Sequence, residues 1–483
     1  MGRHIIALIY LSLSVTACGG GSSPPSLGGA GSAPQSRPPP PPLVGYTVGG
    51  TVSGLKGRGL TLDIIAASYT RPKSIQQRSI DVDGEFVFPT PIFTNGPDEG
   101  HIFDSAFDYS VGIAQQPDSP TQRCVLSDKY GLFTIRANIT DLSVACGEFS
   151  YSTNTADNTI SAFSVDAYTG ALVSVGPPVA TGRSPYAVAS RADKAYLYVA
   201  NGDSNDVSVF SADPRTGALT AIPGSPFAAG TRPQAIALFR STLFVANAGS
   251  DNLSVYRVDP TSGALTLWSS GSFATGSGPS VMAVVGGGGP YSFGPVLYIA
   301  NSASNDISAY WILGAYGPEQ ALESVQGSPF GSGSSISSLA FGRGFLYAAN
   351  ANGVDATISA FGIDPNTAAL TSLAGFPFAL PSCTYISADR TGTYLYATAG
   401  TNLSGFSIDA QTGALSPLPG FPVDVGANAD SISIDPTNQF LYIRNGTAGT
   451  VTGFQLSAAT GELTPMPGSP FVVGRSPDFI ATF

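Results

Sequence analysis

The chain has 483 residues, a formal net charge of -11 and only 11% charged side chains, with 58 glycines and 38 prolines. So low a charged fraction, well under the quarter usual in globular proteins, fits an exported all-β protein. The acidic balance excludes nucleic acid as a partner, since neutralising phosphates needs a concentrated basic surface.

Residues 1–17 begin with the basic Arg3, continue through an apolar run from Ile5 to Val15, and end at Val15-Thr16-Ala17-Cys18. This is an export signal, too short to span a bilayer as a helix. Its ending resembles the lipobox of bacterial lipoproteins, which implies cleavage before Cys18 and a lipid on that thiol. Gly19 follows, and by resemblance to lipoprotein sorting the absence of Asp there favours the outer membrane. No later apolar run is long enough for a transmembrane helix, so the membrane link would be the lipid alone. Residues 18–42 are almost entirely Gly, Ser, Ala and Pro, ending in five prolines from Pro38 to Pro42. Such a stretch buries too little apolar surface to fold and reads as a tether, flexible at first and stiffer in its polyproline half.

Residues 43–147 read as a separate small β-domain. YTVGGTVSG and LTLDIIAA alternate, and Asp83-Gly84 marks a hairpin turn before EFVF. The opening at Tyr46 and the closing LSVAC resemble the small immunoglobulin-like modules of exported bacterial proteins. Cys124 and Cys146 both lie here, and an oxidising destination would join them, with roughly 3 kcal/mol gained from closing the loop. Two thiols and the single histidine after the signal, His101, are too few for a zinc site.

From residue 148 to the end, one unit recurs. Its best copy is LYVANGDSNDVSVFSADPRTGALTAIPGSPF, Leu197 to Phe227, and aligning the opening strands places FSYSTN at Phe149, LYVANG at Leu197, LFVANA at Leu243, LYIANS at Leu297, LYAANA at Leu346, LYATAG at Leu395 and LYIRNG at Leu441. Seven units with a period of roughly 46 to 54 residues correspond to four-stranded propeller blades. Short β-branched runs separated by NGDSND and ADPRTG give the strands and turns. The first unit starts at the second strand of a blade and the last ends on a lone innermost strand, residues 477–483. Pairing those two closes the ring and removes open edges.

LYVAN, TGALT and GSPF resemble the YVTN-type and lactonase-type seven-bladed propellers, a group that includes bacterial 6-phosphogluconolactonase. The resemblance covers about two-thirds of the chain and implies the fold; these are scaffold motifs, and a fold shared by many functions does not name a substrate. It carries over no catalytic residue, because no catalytic motif of that group can be matched to a position here.

Departures from the repeat are the places to look for a site. Arg183 in TGRSPY, Arg232 in GTRPQ and Arg475 in VGRSPD occupy equivalent entry loops of blades that ring closure makes neighbours. Arg444 stands in LYIRN where other copies have Ala, and Asp430 lies in the adjoining entry loop, where it would orient a ligand or pair with Arg444. Guanidinium groups gathered on one rim suit a carboxylate, a phosphate or an acidic sugar; the blander reading is solvated or blade-bridging arginines. The Asn that ends the second strand, for example Asn201 and Asn247, reads as a turn cap bonded to its own backbone. No histidine lies beyond residue 101, so Ser-His, Cys-His and His-metal chemistry are absent from the repeats. Cys383, the leftover thiol, reads as a small buried hydrophobe. No cofactor or metal is expected.

The sequence thus describes an all-β, lipid-anchored envelope protein, a seven-bladed propeller behind a small sandwich. The leading function is a ligand-binding or interaction platform for a small anion, a glycan or a protein segment. The alternatives are a lactone hydrolase related to 6-phosphogluconolactonase and a structural spacer.

Overall fold

A computed structural model describes residues 44–66, 73–89, 92–94, 109–117, 124–126, 137–190, 196–286, 294–313, 321–426, 429–474 and 477–482. The segments expected to be an export signal and a tether, with Cys18, and also His101 and Arg475, lie outside these.

Between Val44 and Cys146 two sheets share one core. One has the order Gly84–Val87, Val48–Ser53, Ile139–Cys146, Cys124–Leu126; the other has Lys73–Ile80, Leu60–Ala66, Tyr109–Gln115. Alternation along each strand sends Val48, Val52, Leu142 and Val144 from the first and Leu60, Leu62 and Ile64 from the second into the same apolar cluster. Val48–Ser53 and Ile139–Cys146 run parallel, and a Cβ on Gly50 would come within 1.9 Å of the Leu142 carbonyl oxygen, so only glycine allows that approach. Cys124 and Cys146 are directly opposed on neighbouring strands and joined as a disulfide.

Only Gly147 separates this sandwich from the first propeller strand, Glu148–Asn154. Seven antiparallel blades follow. The second is representative: Pro185–Ser190 innermost, then Tyr196–Asn201, Asp206–Ala212 and Leu219–Ala221, with Phe227–Ala228 also pairing with the third strand. The C-terminal strand Pro477–Thr482 pairs with Glu148–Asn154 as innermost strand of the first blade, in a register running from Ser150 opposite Thr482 to Asn154 opposite Pro477. The chain is therefore a closed, seven-bladed, all-β propeller.

The repeat consensus follows from how blades stack. A second strand is covered on both faces, so it alternates between two neighbours and not between core and water. Leu197 and Val199 pack against the first blade, whereas Tyr198 packs against the third. All three are at most 2% exposed, and burying such side chains is worth about 1.5–3 kcal/mol each.

TGALT also acquires a physical meaning. The turn opens with an Asp whose carboxylate takes backbone N–H groups two and three residues on, as Asp213 does from Arg215 and Thr216 at 2.8 and 3.0 Å. Its Gly then adopts positive φ, +71° at Gly217, and offers its carbonyl to the buried tyrosine of the blade before. Tyr151 thus donates to Gly217 at 3.1 Å, Tyr198 to Gly263 at 3.2 Å, Tyr396 to Gly461 at 2.8 Å, and Tyr442 to Gly170 across the closure at 2.7 Å. One blade lacks the hydroxyl: Phe244 stands in LFVAN, and the blade after it has LGAYGPEQA where the others have the TGALT turn. In the sequence, the tyrosine and the turn motif are missing together.

That latch corrects the alignment of the first unit. Because Tyr151 makes the bond that Tyr198 makes, Ser150 corresponds to Leu197 and Ser152 to Val199, one residue away from an alignment that starts both units on their first large apolar residue. Phe149 is the counterpart of Tyr196, and each lies against the glycine of the following blade's turn, Gly217 and Gly263.

Candidate functional site

Entry loops and the turns between second and third strands share one face. The backbone N–H of Arg183 donates to Ser204 Oγ at 3.0 Å, and that of Ser184 to Asn158 Oδ1 of the preceding blade at 2.8 Å. The Asp turns lie on the opposite face, where the sandwich touches the propeller: Tyr168 donates to the Lys56 carbonyl at 3.3 Å, and Arg215 to Ser143 Oγ at 3.0 Å. The entry loop of Arg183 and the sandwich therefore occupy opposite faces.

The recurring Asn of the second strand behaves differently from a turn cap. Asn201 Nδ2 donates to Asp206 Oδ1 at 2.7 Å and Ser208 Oγ at 2.9 Å, and Asn247 and Asn301 repeat the pattern. These side chains are wholly buried beneath the entry-loop glycine, where a Cβ on Gly182 would come within 2.6 Å of Asn201. The Asn binds two strands and supports the loop above it, so its recurrence belongs to the scaffold.

Among the arginines the structure separates roles that the sequence grouped. Arg183 is exposed, and its guanidinium reaches the Asp203 carbonyl of its own blade at 3.3 Å. Arg232, also exposed, sits one position later in its loop, the counterpart of Ser184. Its φ is +53°, and its N–H is held by Asn205 Oδ1 at 2.7 Å. The guanidinium of Arg232 meets no hydrogen-bond or ion-pair partner among the described residues. The innermost strands behind these two loops, Pro185–Ser190 and Pro233–Phe239, pack against each other, so the loops stand on adjacent blades. Arg475 lies outside the described residues, as noted above.

Arg444 is different in kind. It is buried, 7% exposed, on the flank of the seventh blade that faces the first, and it forms an ion pair with Asp430 at 2.6 Å. Asp430 is the second residue of its innermost strand. In the fourth, fifth and sixth blades the corresponding residues are hydroxyls that clip one blade to the next: Ser280 to the Ile336 carbonyl at 3.3 Å, Ser337 to the Thr384 carbonyl at 2.7 Å, Thr384 to the Ala429 carbonyl at 3.0 Å. In the sixth blade Thr384 and Thr398, at 2.9 Å, are the uncharged version of the Asp430–Arg444 pair.

Cys383 is 1% exposed, and burial pushes its thiol up to about 12, leaving no thiolate near neutral pH. Among the described residues no group of three or more His, Cys, Asp or Glu side chains could hold a metal ion. Glu148 is buried, whereas Glu323 and Glu462 lie on the outer strand and the turn of different blades, so these do not form an acid–base pair.

The class this fold defines is the seven-bladed β-propeller. The family model described as lactonase, 7-bladed beta-propeller, matches residues 129–238. Among curated proteins, no sequence matches the chain. Solved structures share its fold at low identity. A Bacteroides fragilis protein assigned as a candidate 6-phosphogluconolactonase has a TM-score of 0.57 at 19% identity, covering 70% of this chain and 98% of its own. The periplasmic gluconolactonase of Pseudomonas aeruginosa has a TM-score of 0.55 at 17% identity, with 70% and 98% covered. A Lactobacillus plantarum protein gives 0.55 at 17%, with 70% and 99% covered.

Proposed function

We propose that this protein is a lipid-anchored envelope component whose propeller binds a small anionic ligand, such as an acidic sugar, on the entry-loop face. The observation that carries the reading is the pair of exposed guanidinium groups, Arg183 and Arg232, on adjacent loops of that face; in the repeat sequence Arg475 is the counterpart of Arg183. A scaffold needs neither: the repeat itself places Thr231 where Arg183 stands and Ser184 where Arg232 stands. Charge-assisted bonds from guanidinium to carboxylate contribute about 1.5–3 kcal/mol each.

The repeat also supplies the test. Arg183→Thr with Arg232→Ser and Arg475→Thr installs side chains that equivalent loops already carry, so folding is preserved. Calorimetric titration with galacturonate and with 6-phosphogluconate should give at least a tenfold weaker Kd in the triple variant. Equal affinity in the two proteins removes the arginine rim from the account.

A second reading, lactone hydrolysis, is supported by the lactonase family model over residues 129–238 and by the gluconolactonase among the similar folds. Without histidine in the repeats, a carboxylate would have to activate water, and Asp430 beside Arg444 is the candidate, with the guanidinium stabilising the developing oxyanion. Glucono-δ-lactone opening that exceeds the spontaneous rate and is abolished by Asp430→Asn supports this reading, and turnover indifferent to that change counts against it.

A further inference from the structure

The fifth blade differs from the four before it in how it holds the next entry loop. In those four the turn between second and third strands has four residues. The side chain of the last one accepts the N–H of the residue leading into the next innermost strand: Asn158 from Ser184 at 2.8 Å, Asn205 from Arg232 at 2.7 Å, Asp251 from Gly278 at 2.8 Å and Asn305 from Ser335 at 2.8 Å. In the fifth blade the turn has six residues, 351–356, and ends in Ala356, whose side chain accepts nothing. The Gly353 carbonyl takes over, receiving the Ser382 N–H at 2.9 Å. The lead into the sixth blade is therefore held by a peptide group of the turn instead of by a side chain.

That peptide group follows Asn352. In an Asn-Gly pair the glycine N–H can attack the preceding carboxamide with no Cβ to hinder it. The chain has four such pairs, of which Asn95-Gly96 lies outside the described residues. Asn201 and Asn445 are 0% and 4% exposed, and their Nδ2 groups are spent on Asp206 and Ser208 and on Thr450 and Thr452. The Gly202 N–H is spent too, on the Ser184 carbonyl at 2.8 Å. Asn352 and Gly353 are both exposed, beside Val354 at 79%. Neither the Asn352 carboxamide nor the Gly353 N–H has a hydrogen-bond partner among the described residues. Ring closure requires rotation about the Asn352 Cα–C bond from ψ 46°. Within the turn it is resisted by two long bonds, from Asp355 N–H to the Asn352 carbonyl and from Ala356 N–H to the Gly353 carbonyl, both 3.2 Å. A short exposed turn of this kind opens locally far more often than a strand within a sheet.

We propose that Asn352-Gly353 is a site of spontaneous deamidation, and that its isoaspartyl product releases the lead into the sixth blade. The Gly353 nitrogen bonds to Asn352 Cγ and the Cγ–Nδ2 bond breaks, ammonia leaving with the proton that the Gly353 nitrogen gives up. Water then opens the cyclic imide. Addition at Cγ gives aspartate; addition at the main-chain carbonyl carbon gives isoaspartate, in which the chain runs through the former side chain and is one carbon longer. That extra carbon lies immediately before Gly353 and displaces the carbonyl that holds Ser382. The inference does not rest on the arginine rim.

The experiment ages the mature full chain in warm, mildly alkaline buffer, with Asn352→Ser and freshly prepared Asn352→Asp beside it. Peptide mapping, with isoaspartyl methyltransferase labelling to mark isoaspartate, follows the asparagines, and hydrogen exchange follows the Ser382 amide. Conversion at Asn352 at least about tenfold faster than at Asn201 or Asn445 is expected, with no labelling of this turn in Asn352→Ser. Ser382 exchange should rise at least about tenfold in the isoaspartyl fraction and stay at the fresh wild-type rate in Asn352→Asp, which carries the charge on an unaltered chain. Conversion at Asn352 no faster than at the two buried asparagines overturns the modification site. Isoaspartate with unchanged Ser382 exchange, or exchange as fast in Asn352→Asp, overturns the release.

Discussion

At the scale of single residues, the interfaces between blades combine apolar contact with one directed bond, and both halves can be perturbed. Tyr396→Phe removes the hydroxyl that reaches Gly461 while keeping the ring, and Phe244 shows that the fold accepts that ring. A loss of about 0.5–1.5 kcal/mol in denaturant unfolding is expected. Arg444→Ala is expected to cost more, about 1–3 kcal/mol after allowing for the partial exposure of Asp430, because it strands a carboxylate. Arg444→Ala with Asp430→Ser installs the residue types of the fourth and fifth blades, Ser280 with Ala300 and Ser337 with Ala349, and should recover most of that loss; a double variant as unstable as the single one would contradict the pairing. Much at this scale was invisible in the sequence. The recurrence of Asn201 and its counterparts could be read directly, but not that the amide points to strand side chains. That Ser150 and Ser152 stand where Leu197 and Val199 do was hidden by an alignment displaced by one residue, because Phe149 and Leu197 are both large apolar residues and differ in what they touch.

At the scale of the element, the Asp turns set the acid limit of the fold. Asp213 is held below the ordinary carboxylate range by the Arg215 N–H, with burial opposing and Thr216 assisting. Asp364 is lowered by the N–H groups of Asn366 and Thr367, and Asp409 by the Thr412 hydroxyl and N–H groups. A carboxyl whose folded pKa is depressed contributes stability that is present above its unfolded pKa, about 3.9, and lost as pH falls through the folded value. Asp435 runs the other way. Burial raises its pKa despite bonds from Thr437, Phe440 and Gln439, so its contribution is complete below the unfolded pKa and lost as pH rises through the folded one. With several lowered turns against two raised groups, Asp435 and the sandwich's Asp63, both pushed up by burial, Tm should fall steeply below about pH 4, and Asp213→Ala should shrink that fall. A Tm flat from pH 6 to pH 3 would contradict the assignment. These turns were legible as ADPRTG, since Asp and Gly at fixed spacing announce a turn. The reason a Gly recurs there, its carbonyl receiving the buried tyrosine of the blade before, lies in the neighbouring blade, and strand patterning alone does not reveal it.

At the scale of the whole molecule, the ring and its closing strand were read from the repeat and its phase. The period fixes the blade, and the lone strand at the C-terminus fixes which blade is composite. Removing residues 477–483 should expose the inner edge of Glu148–Asn154 and leave the first blade open to pairing with other chains. A truncated protein that stays monomeric with unaltered Tm would contradict a closure that depends on this strand. Function was less legible, because a binding surface is made of departures from the repeat and the sequence does not say which departures face one another. Arg183, Arg232 and Arg444 looked like one group. The structure puts the first two in the open on adjacent entry loops and buries the third against Asp430.

The central claim, that the entry-loop face receives an anion between neighbouring blades, is met most directly by a crystal structure of the mature chain soaked with galacturonate. The account predicts the carboxylate within hydrogen-bonding distance of the Arg183 or Arg232 guanidinium. Galacturonate bound on the opposite face, or no bound ligand at concentrations that saturate the protein in solution, would contradict it.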